Sequence, residues 1–403
     1  MALTQTADAA IPELARHQRT LLLAGALGAV VSIGGALLNF TQFMQSYLMA
    51  YMLCLGVTLG SLALGMVHQL SGGAWGVVIR RPLEAAVSTI PAMAVLFIPI
   101  ALGMHSLYEW THEGALNDPV IAAKAPYLNT GFFLARAVFY FAIWIGLGQL
   151  LLTWSKEQDR TGDPSLTRKL SMLSGGGLVA YALTVNFSVT DWLMSTNPHW
   201  FTTMWGPLFM VGQGLAALAL MINVLVFLMG SAPMDRVLTA NHFHDLGKLL
   251  FAFLMLWAYL SFSQFLIVYS ANLSEEIPHY IARSQGGYQY ITIVLIVLHF
   301  IVPYSLLLSR DVKRGITRLR AIAAWLILMR IVDYYWQVAP EFNQTLSLSV
   351  VDIGLPIALG GIFFTLYALR LKSMPLLPVQ DAGLEKALTH HAQARNGSGR
   401  RPV

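Results

Sequence analysis

The chain reads DWLMSTNPHW from Asp191 to Trp200 and DYYWQVAPEF from Asp333 to Phe342. Each stretch is an aspartate at the far end of an apolar run, followed at once by an aromatic residue, with a proline seven positions on and another aromatic two beyond it. Aromatic residues crowd the ends of membrane helices and proline favours the loops after them, so unrelated helix ends can converge on such a pattern. Taken as an internal repeat, the two stretches close equivalent units of four helices that point the same way.

Composition sets the class. The chain is 56% hydrophobic and 11% charged, with a mean hydropathy of +0.60, whereas soluble domains carry about 25% charged residues. These values predict an all-α integral membrane protein. A membrane crossing needs about 20 apolar residues, and runs of that length occur at 20–40, 47–70, 83–104, 130–154, 173–194, 206–230, 245–270, 288–309, 318–337 and 346–371. About ten transmembrane helices follow, with pseudo-repeats near 47–194 (spans 2–5) and 206–337 (spans 6–9), spans 1 and 10 lying outside. The membrane domain covers 20–372, residues 1–19 are a polar N-terminal segment, and 373–403 form a disordered tail.

Orientation comes from the basic residues. Arg16, Arg19, Arg80, Arg81, the 156–169 segment, Arg236, Lys248, the 310–320 segment and the C-terminal stretch all fall in one set of alternate connections. Lys124 and Arg283 stand in the opposite set, and Arg136 and Arg330 lie within spans. The positive-inside rule then places both termini in the cytoplasm. The sequence pI near 9.3 marks that face and calls for no nucleic acid. The first span is too long for a signal-peptide core and is read as retained. Cys54 is the single cysteine, so no disulfide, cysteine-ligated iron-sulfur cluster or CxxCH haem site can be built.

Several connections carry expectations. Residues 41–46 read as a short outer loop. Residues 71–82 read as a glycine-rich turn with Trp75 at the interface and Arg80 and Arg81 facing anionic lipid, Pro82 opening the third span and Glu84 near its positive end. The long outer loop 105–129, with Glu109, Glu113 and Asp118, is a natural docking surface for a partner. Asp163 before Pro164 reads as a helix N-cap, and 272–287 as holding an interfacial helix.

Chemistry inside the spans rests on few residues: Arg136, Asp191, Arg330, Asp333, Asp352 and His299. An unpaired charge at the bilayer centre costs about 2.5–3.5 kcal/mol on insertion scales, so these groups must be paired, shallow or hydrated. All five charges fall in the outer half and are expected to form one polar cluster, with Arg330 and Asp333 three apart on one face and Arg136 level with Asp191. In the fifth span Ser174, Gly177, Tyr181, Thr184, Ser188, Asp191 and Ser195 recur at spacings of three and four. Such a stripe serves helix packing or a proton path ending on a carboxylate. Lys248, Tyr259, Ser263 and Ser270 repeat the theme in the seventh span. His299, four before Pro303, is a proton-relay candidate or an interhelical hydrogen-bonding group. His68, His105 and His299 lie at different depths, so no haem and no metal site are predicted.

The segments GMVHQLSGGAWGVVIRRPLEAA (65–86), VTDWLMSTNPHWFTTMWG (189–206), the stretch from FHDLGK (243–248) to EEIPHY (275–280) and LLLSRDVKR (306–314) resemble the NrfD-like family, also called polysulfide reductase membrane subunit-like. The resemblance runs over 20–371 and is to the ActF-type membrane subunits of alternative complex III, a bacterial quinol:cytochrome c oxidoreductase. It implies two four-helix bundles, a homologous sister subunit in the bacterial inner membrane, and periplasmic partners carrying iron-sulfur clusters and c-type haems. It implies a role in quinol oxidation with possible proton translocation, any quinone or menaquinone being held chiefly by the sister subunit. No complete quinol-site motif is matched here residue by residue. Without the resemblance, a redox-complex subunit competes with a secondary transporter or a stand-alone membrane anchor built on the same repeat.

Overall fold

The computed structural model describes residues 13–378 together with 380, 381 and 384. Among these residues nine helices are long and apolar enough to cross a membrane, and the chain is an all-α, multi-pass membrane protein. The long units are α1 (Glu13–Leu38), α2 (Phe40–Ser71), the interrupted α3 (Ala74–Leu102), α4 (Thr130–Thr161), α5 (Pro164–Trp192), α6 (Trp205–Leu228), α7 (Ala240–Ala271), α8 (Tyr288–Leu308), α9 (Ile316–Val338) and α10 (Val350–Lys372). α9 lies outside the nine because Arg330, Asp333 and Gln337 within it lower its hydropathy. It nonetheless packs in the interior against α6, α8 and α2.

α2 and α6 form the centre. Their most apolar windows are 78% and 72% buried, and they pack directly on each other. α3, α4 and α5 gather with α2; α7, α8 and α9 gather with α6; α1 and α10 form a separate pair that packs on α2. Lipid tails give apolar helices no hydrophobic drive to associate, so close packing of small residues does that work. On α2, a Cβ at Gly60 would stand 2.2 Å from the Gln213 carbonyl oxygen, so only glycine lets the two central backbones approach this closely. Gly25 and Gly28 play the same part toward Gly361 and Gly354 between α1 and α10.

Two helices are broken, and each break is repaired locally. In α3 the turn at Ser88–Thr89 and the tightened bonds Phe97 N–H to Ala94 and Ile100 N–H to Phe97 leave the Met93 and Leu96 carbonyls free. Tyr51 and Tyr47 of α2 donate their hydroxyls to them, at 3.1 and 2.7 Å. In α8 residues Leu295–Ile301 are π-helical. In that register the Leu298 carbonyl would be served by residue 303, a proline without an N–H, and the Trp325 indole donates to it instead at 2.8 Å.

Some expectations change. The supposed 41–46 loop is helical: α2 starts at Phe40, with the Asn39 side chain capping Gln42 N–H, so the α1–α2 connection is one residue. The 71–82 turn shrinks to Gly72 and Gly73, both at positive φ (66° and 101°), and Pro82 falls inside a helix already begun at Ala74. Asp163 does cap α5, and a short helix occupies Pro278–Ser284. Most of the 373–403 tail and residues 1–12 lie outside the described residues. The described tail residues Leu376, Leu377 and Leu384 are buried rather than solvated.

The central contact gives a stability test. Gly60→Ala is expected to cost about 1–3 kcal/mol by overpacking, whereas Gly146→Ala, whose added Cβ meets nothing within 4 Å, leaves stability within about 0.5 kcal/mol. Thermal unfolding of both variants in detergent checks the difference.

Candidate functional site

The helix ends holding Asp191 and Asp333 carry the intramembrane charges, but these form three separate groups rather than one cluster. In the first, α4 presents Arg136 to Asp191 of α5 in a two-pronged pair, Nε to Oδ2 at 2.8 Å and Nη2 to Oδ1 at 3.0 Å. Tyr140 adds its hydroxyl to Oδ2 at 2.8 Å. The third Arg136 nitrogen donates to the Tyr127 carbonyl at 2.9 Å, and the guanidinium lies 3.8 Å from the Tyr127 ring centre. Every oxygen of a fully buried carboxylate is thus met, which is what burial of a charge requires. Burial, with the Asp191 charge behind it, pushes the Tyr127 hydroxyl up to about 12.

The stripe on α5 faces inward along its whole length, yet its hydroxyls do not link to one another. Tyr181 donates to Gln213 Oε1 on α6 at 2.8 Å; Thr184 accepts from the Trp144 indole at 2.8 Å and bonds back to Ala180; Ser188 and Ser195 bond back to the Val185 and Asp191 carbonyls. Gly177 meets the Met66 sulfur and Leu147. The stripe is a packing seam in this state. On α7 the structure leaves Lys248 exposed and paired with Asp245 at 3.1 Å, and Tyr259 64% exposed.

In the second group Arg330 and Asp333 of α9 pair as their spacing requires, both essentially without solvent contact. Gln337 Nε2 donates to Asp333 Oδ2 at 3.1 Å. Beside them stands His299, fully buried in the π-helical turn, its ring 4.1 Å from that of Trp257. Both His299 nitrogens, Arg330 Nε and Nη2 and Gln337 Oε1 have no hydrogen-bond partner within the protein, while the Trp257 indole lies beside the Asp333 carboxylate. Gly212 makes room for the guanidinium, since a Cβ there would sit 2.4 Å from Nη2. Unsatisfied polar atoms are rare in folded interiors and mark bound water, ions or function. Asp352 belongs to neither group. It closes a capping box at the start of α10, accepting Ser349 N–H at 2.8 Å and bonds from Gln42 and Ser46.

Two further networks escaped the sequence reading. Arg80 and Arg81 do not face lipid: they are 3% and 1% exposed and bind Glu84, Asp159, Ser155, Gln158 and Asp381. The spacing of Arg80 and Arg81 to Glu84, four and three positions, was the available signal. At the other end His279 stacks flat on Trp200, with ring centres 3.9 Å apart and planes at 9°. Arg283 donates to Glu341 at 2.8 Å, and Asn197 reaches the same carboxylate at 2.9 Å. The two opening stretches therefore touch. The chain matches no family model, and a search of curated proteins finds none similar to it.

Two outcomes follow. Arg136→Met alone should cost about 3–5 kcal/mol by stranding Asp191, and the double variant with Asp191→Leu should recover most of it; unfolding of purified protein measures both. Burial and then Arg283 lower His279 to about 4, while burial raises but Arg283, with His279 and Asn197, overrides it to hold Glu341 well below the usual carboxylate range. The unfolded chain then binds the His279 proton first, so stability falls as pH drops from about 6.5 toward 4. The Glu341 contribution persists through that window and is lost only below it. His279→Gln, in a setting otherwise faced by Arg283, Glu341 and Tyr280, should flatten the loss between those pH values.

Proposed function

We propose that this chain is an integral membrane subunit of a quinol-oxidising electron-transfer complex of the alternative complex III kind, set in a bacterial inner membrane with both termini cytoplasmic. The observation that carries the reading is the pair of ion-paired, buried groups at the Asp191 and Asp333 ends of the helices, one of them edged by unpartnered donors. Intramembrane ionisable groups are costly and by default functional. Quinol oxidation releases protons with its electrons, and the His299, Arg330, Asp333 and Trp257 group offers donors and acceptors where water is otherwise excluded. In this reading the electrons pass through iron-sulfur and c-type haem partners on the outer side, and the homologous sister subunit holds most of the quinone. The four resembling segments supply the polar anchors: Arg80, Arg81 and Glu84 from the first, Asp191, Asn197 and Trp200 from the second, Trp257 and His279 from the third. The fourth connects α8 to α9 and places Lys313 over Phe251.

A second reading, a secondary transporter, draws support from the broken helices α3 and α8, because transporters unwind helices at their substrate sites. Tyr47, Tyr51 and Trp325 take up the freed Leu96, Met93 and Leu298 carbonyls, which leaves those three oxygens engaged rather than open to an ion. Mild-detergent purification through a tag on this chain separates the readings. The redox reading expects co-elution of haem-bearing subunits and quinol oxidation by the assembly. A solitary, monodisperse chain that drives substrate uptake in vesicles would overturn it. Within the assembly, Asp191→Asn should spare quinol oxidation in detergent and lower the proton-to-electron ratio in sealed vesicles; an unchanged ratio would leave α5 with packing alone.

A further inference from the structure

Between α8 and α9 the chain runs SRDVKRGITRLR over 309–320, five basic residues against the single acid Asp311. Arg310, Arg314, Arg318 and Arg320 are exposed. Among the described residues none of the five basic side chains forms an ion pair. At the α2–α3 turn, on the same face of the molecule, the opposite holds: Arg80 and Arg81 are buried and each meets two carboxylates.

The fold gathers these cations against α7. Lys313 packs its side chain on Gly247, where a Cβ would stand 3.0 Å from its Cγ, and carries its ammonium 5.5 Å from the Phe251 ring centre. Arg314 donates to Asn241 Oδ1 at 2.9 Å. Lys248, Lys313 and Arg314 therefore all act electrostatically on one α7 side chain, His244. The acid at that spot, Asp245, is held by Lys248 in an exposed pair, which offsets little of the surrounding charge. Apolar surface adjoins the basic rim, since Leu306 and Leu308 at the end of α8 are 44% and 62% exposed. A soluble anion would use the cations alone. An amphiphile with an acidic head uses both, and basic clusters placed where an apolar span stops are the surfaces that anionic lipids occupy.

We propose that this end of α7, α8 and α9 binds an acidic phospholipid, with Arg310, Arg314 and Arg318 supplying the charge for its phosphate and Leu306 and Leu308 meeting its acyl chains. The inference goes beyond the quinol reading and is independent of it, since it concerns a lipid held at the bundle's edge whatever reaction the chain serves.

The test uses the full-length chain purified in a neutral detergent and read by native mass spectrometry, titrated with phosphatidylglycerol or with phosphatidylcholine of the same acyl chains. The first phosphatidylglycerol adduct should form at the lower lipid concentration. A basic residue beside anionic lipid is worth about fivefold in affinity, so Arg310→Gln, Arg314→Gln and Arg318→Gln together should weaken that adduct roughly tenfold or more and leave phosphatidylcholine unchanged. Lys156→Gln, Arg168→Gln and Lys169→Gln together remove the same charge from exposed positions beside the α4–α5 turn and should alter neither lipid. Equal weakening by the two triple variants would reduce the effect to general surface charge and overturn the site. Phosphatidylglycerol with no advantage over phosphatidylcholine would overturn it as well, and would point to an acidic protein partner. Inorganic phosphate at millimolar concentration should not displace the adduct, because it lacks the acyl chains; displacement would replace the lipid site with a free-anion site. If the first triple variant fails to fold, Arg310→Gln with Arg318→Gln, both at exposed positions, carries the same comparison.

Discussion

Inside a bilayer no water is available to satisfy a polar group, so each carbonyl, N–H and charge within the spans must find its partner in the protein. Most of the described features answer that constraint. The broken α3 survives because Tyr47 and Tyr51 stand on α2 at the heights of the free Leu96 and Met93 carbonyls. The π-helical turn of α8 survives because Trp325 reaches Leu298. Asp191 survives because Arg136 and Tyr140 saturate it. Each repair also ties two helices together, so satisfying the backbone and fixing the bundle are one event.

The same constraint shows which parts of the fold could be read from sequence. Helix number and class were legible because hydrocarbon thickness converts directly into run length, and α9 was recognisable by length although Arg330 and Asp333 lower its hydropathy. Pairs on one helix were legible too, as Arg330 with Asp333 shows. Depth alone paired Arg136 with Asp191. It failed for Asp352, which lies level with the others but spends its oxygens on a helix start. Depth records distance along the membrane normal and says nothing about distance across the bundle, so three groups were merged into one.

Arg80 and Arg81 were misread for a related reason. Paired arginines beside a glycine turn at the basic face fit a lipid-facing surface, and the acids that bury them come from 78 positions away at Asp159 and 301 away at Asp381. Nothing local signals such partners. The α5 stripe keeps its period and its buried face, but a hydroxyl in a helix has a carbonyl three or four residues back as a ready acceptor. Ser188 and Thr184 take that local choice, and a periodic row of hydroxyls need not become a chain of hydrogen bonds.

Both bundles leave some buried polar atoms open, Ser174 Oγ and the Trp192 indole N–H among them in the first, but they differ around their charged groups. In the first, Asp191, Arg136, Thr184 and Trp144 close their hydrogen bonds among themselves. In the second, His299, Arg330 and Gln337 leave polar atoms open although all three are buried. Gly212 widens the space for the Arg330 guanidinium where a larger residue would have displaced it, so the room around these open atoms comes from the sequence itself. Both bundles share the α2–α6 contact; beside it Tyr181 of α5 donates to Gln213 of α6, and at the Asp191 end Asn197 and Glu341 join the bundles again. A group left unsatisfied inside so rigid a frame cannot relax toward solvent or toward a neighbouring helix. Its remaining route to stability is a partner from outside the chain, and in folded interiors that partner is ordinarily bound water.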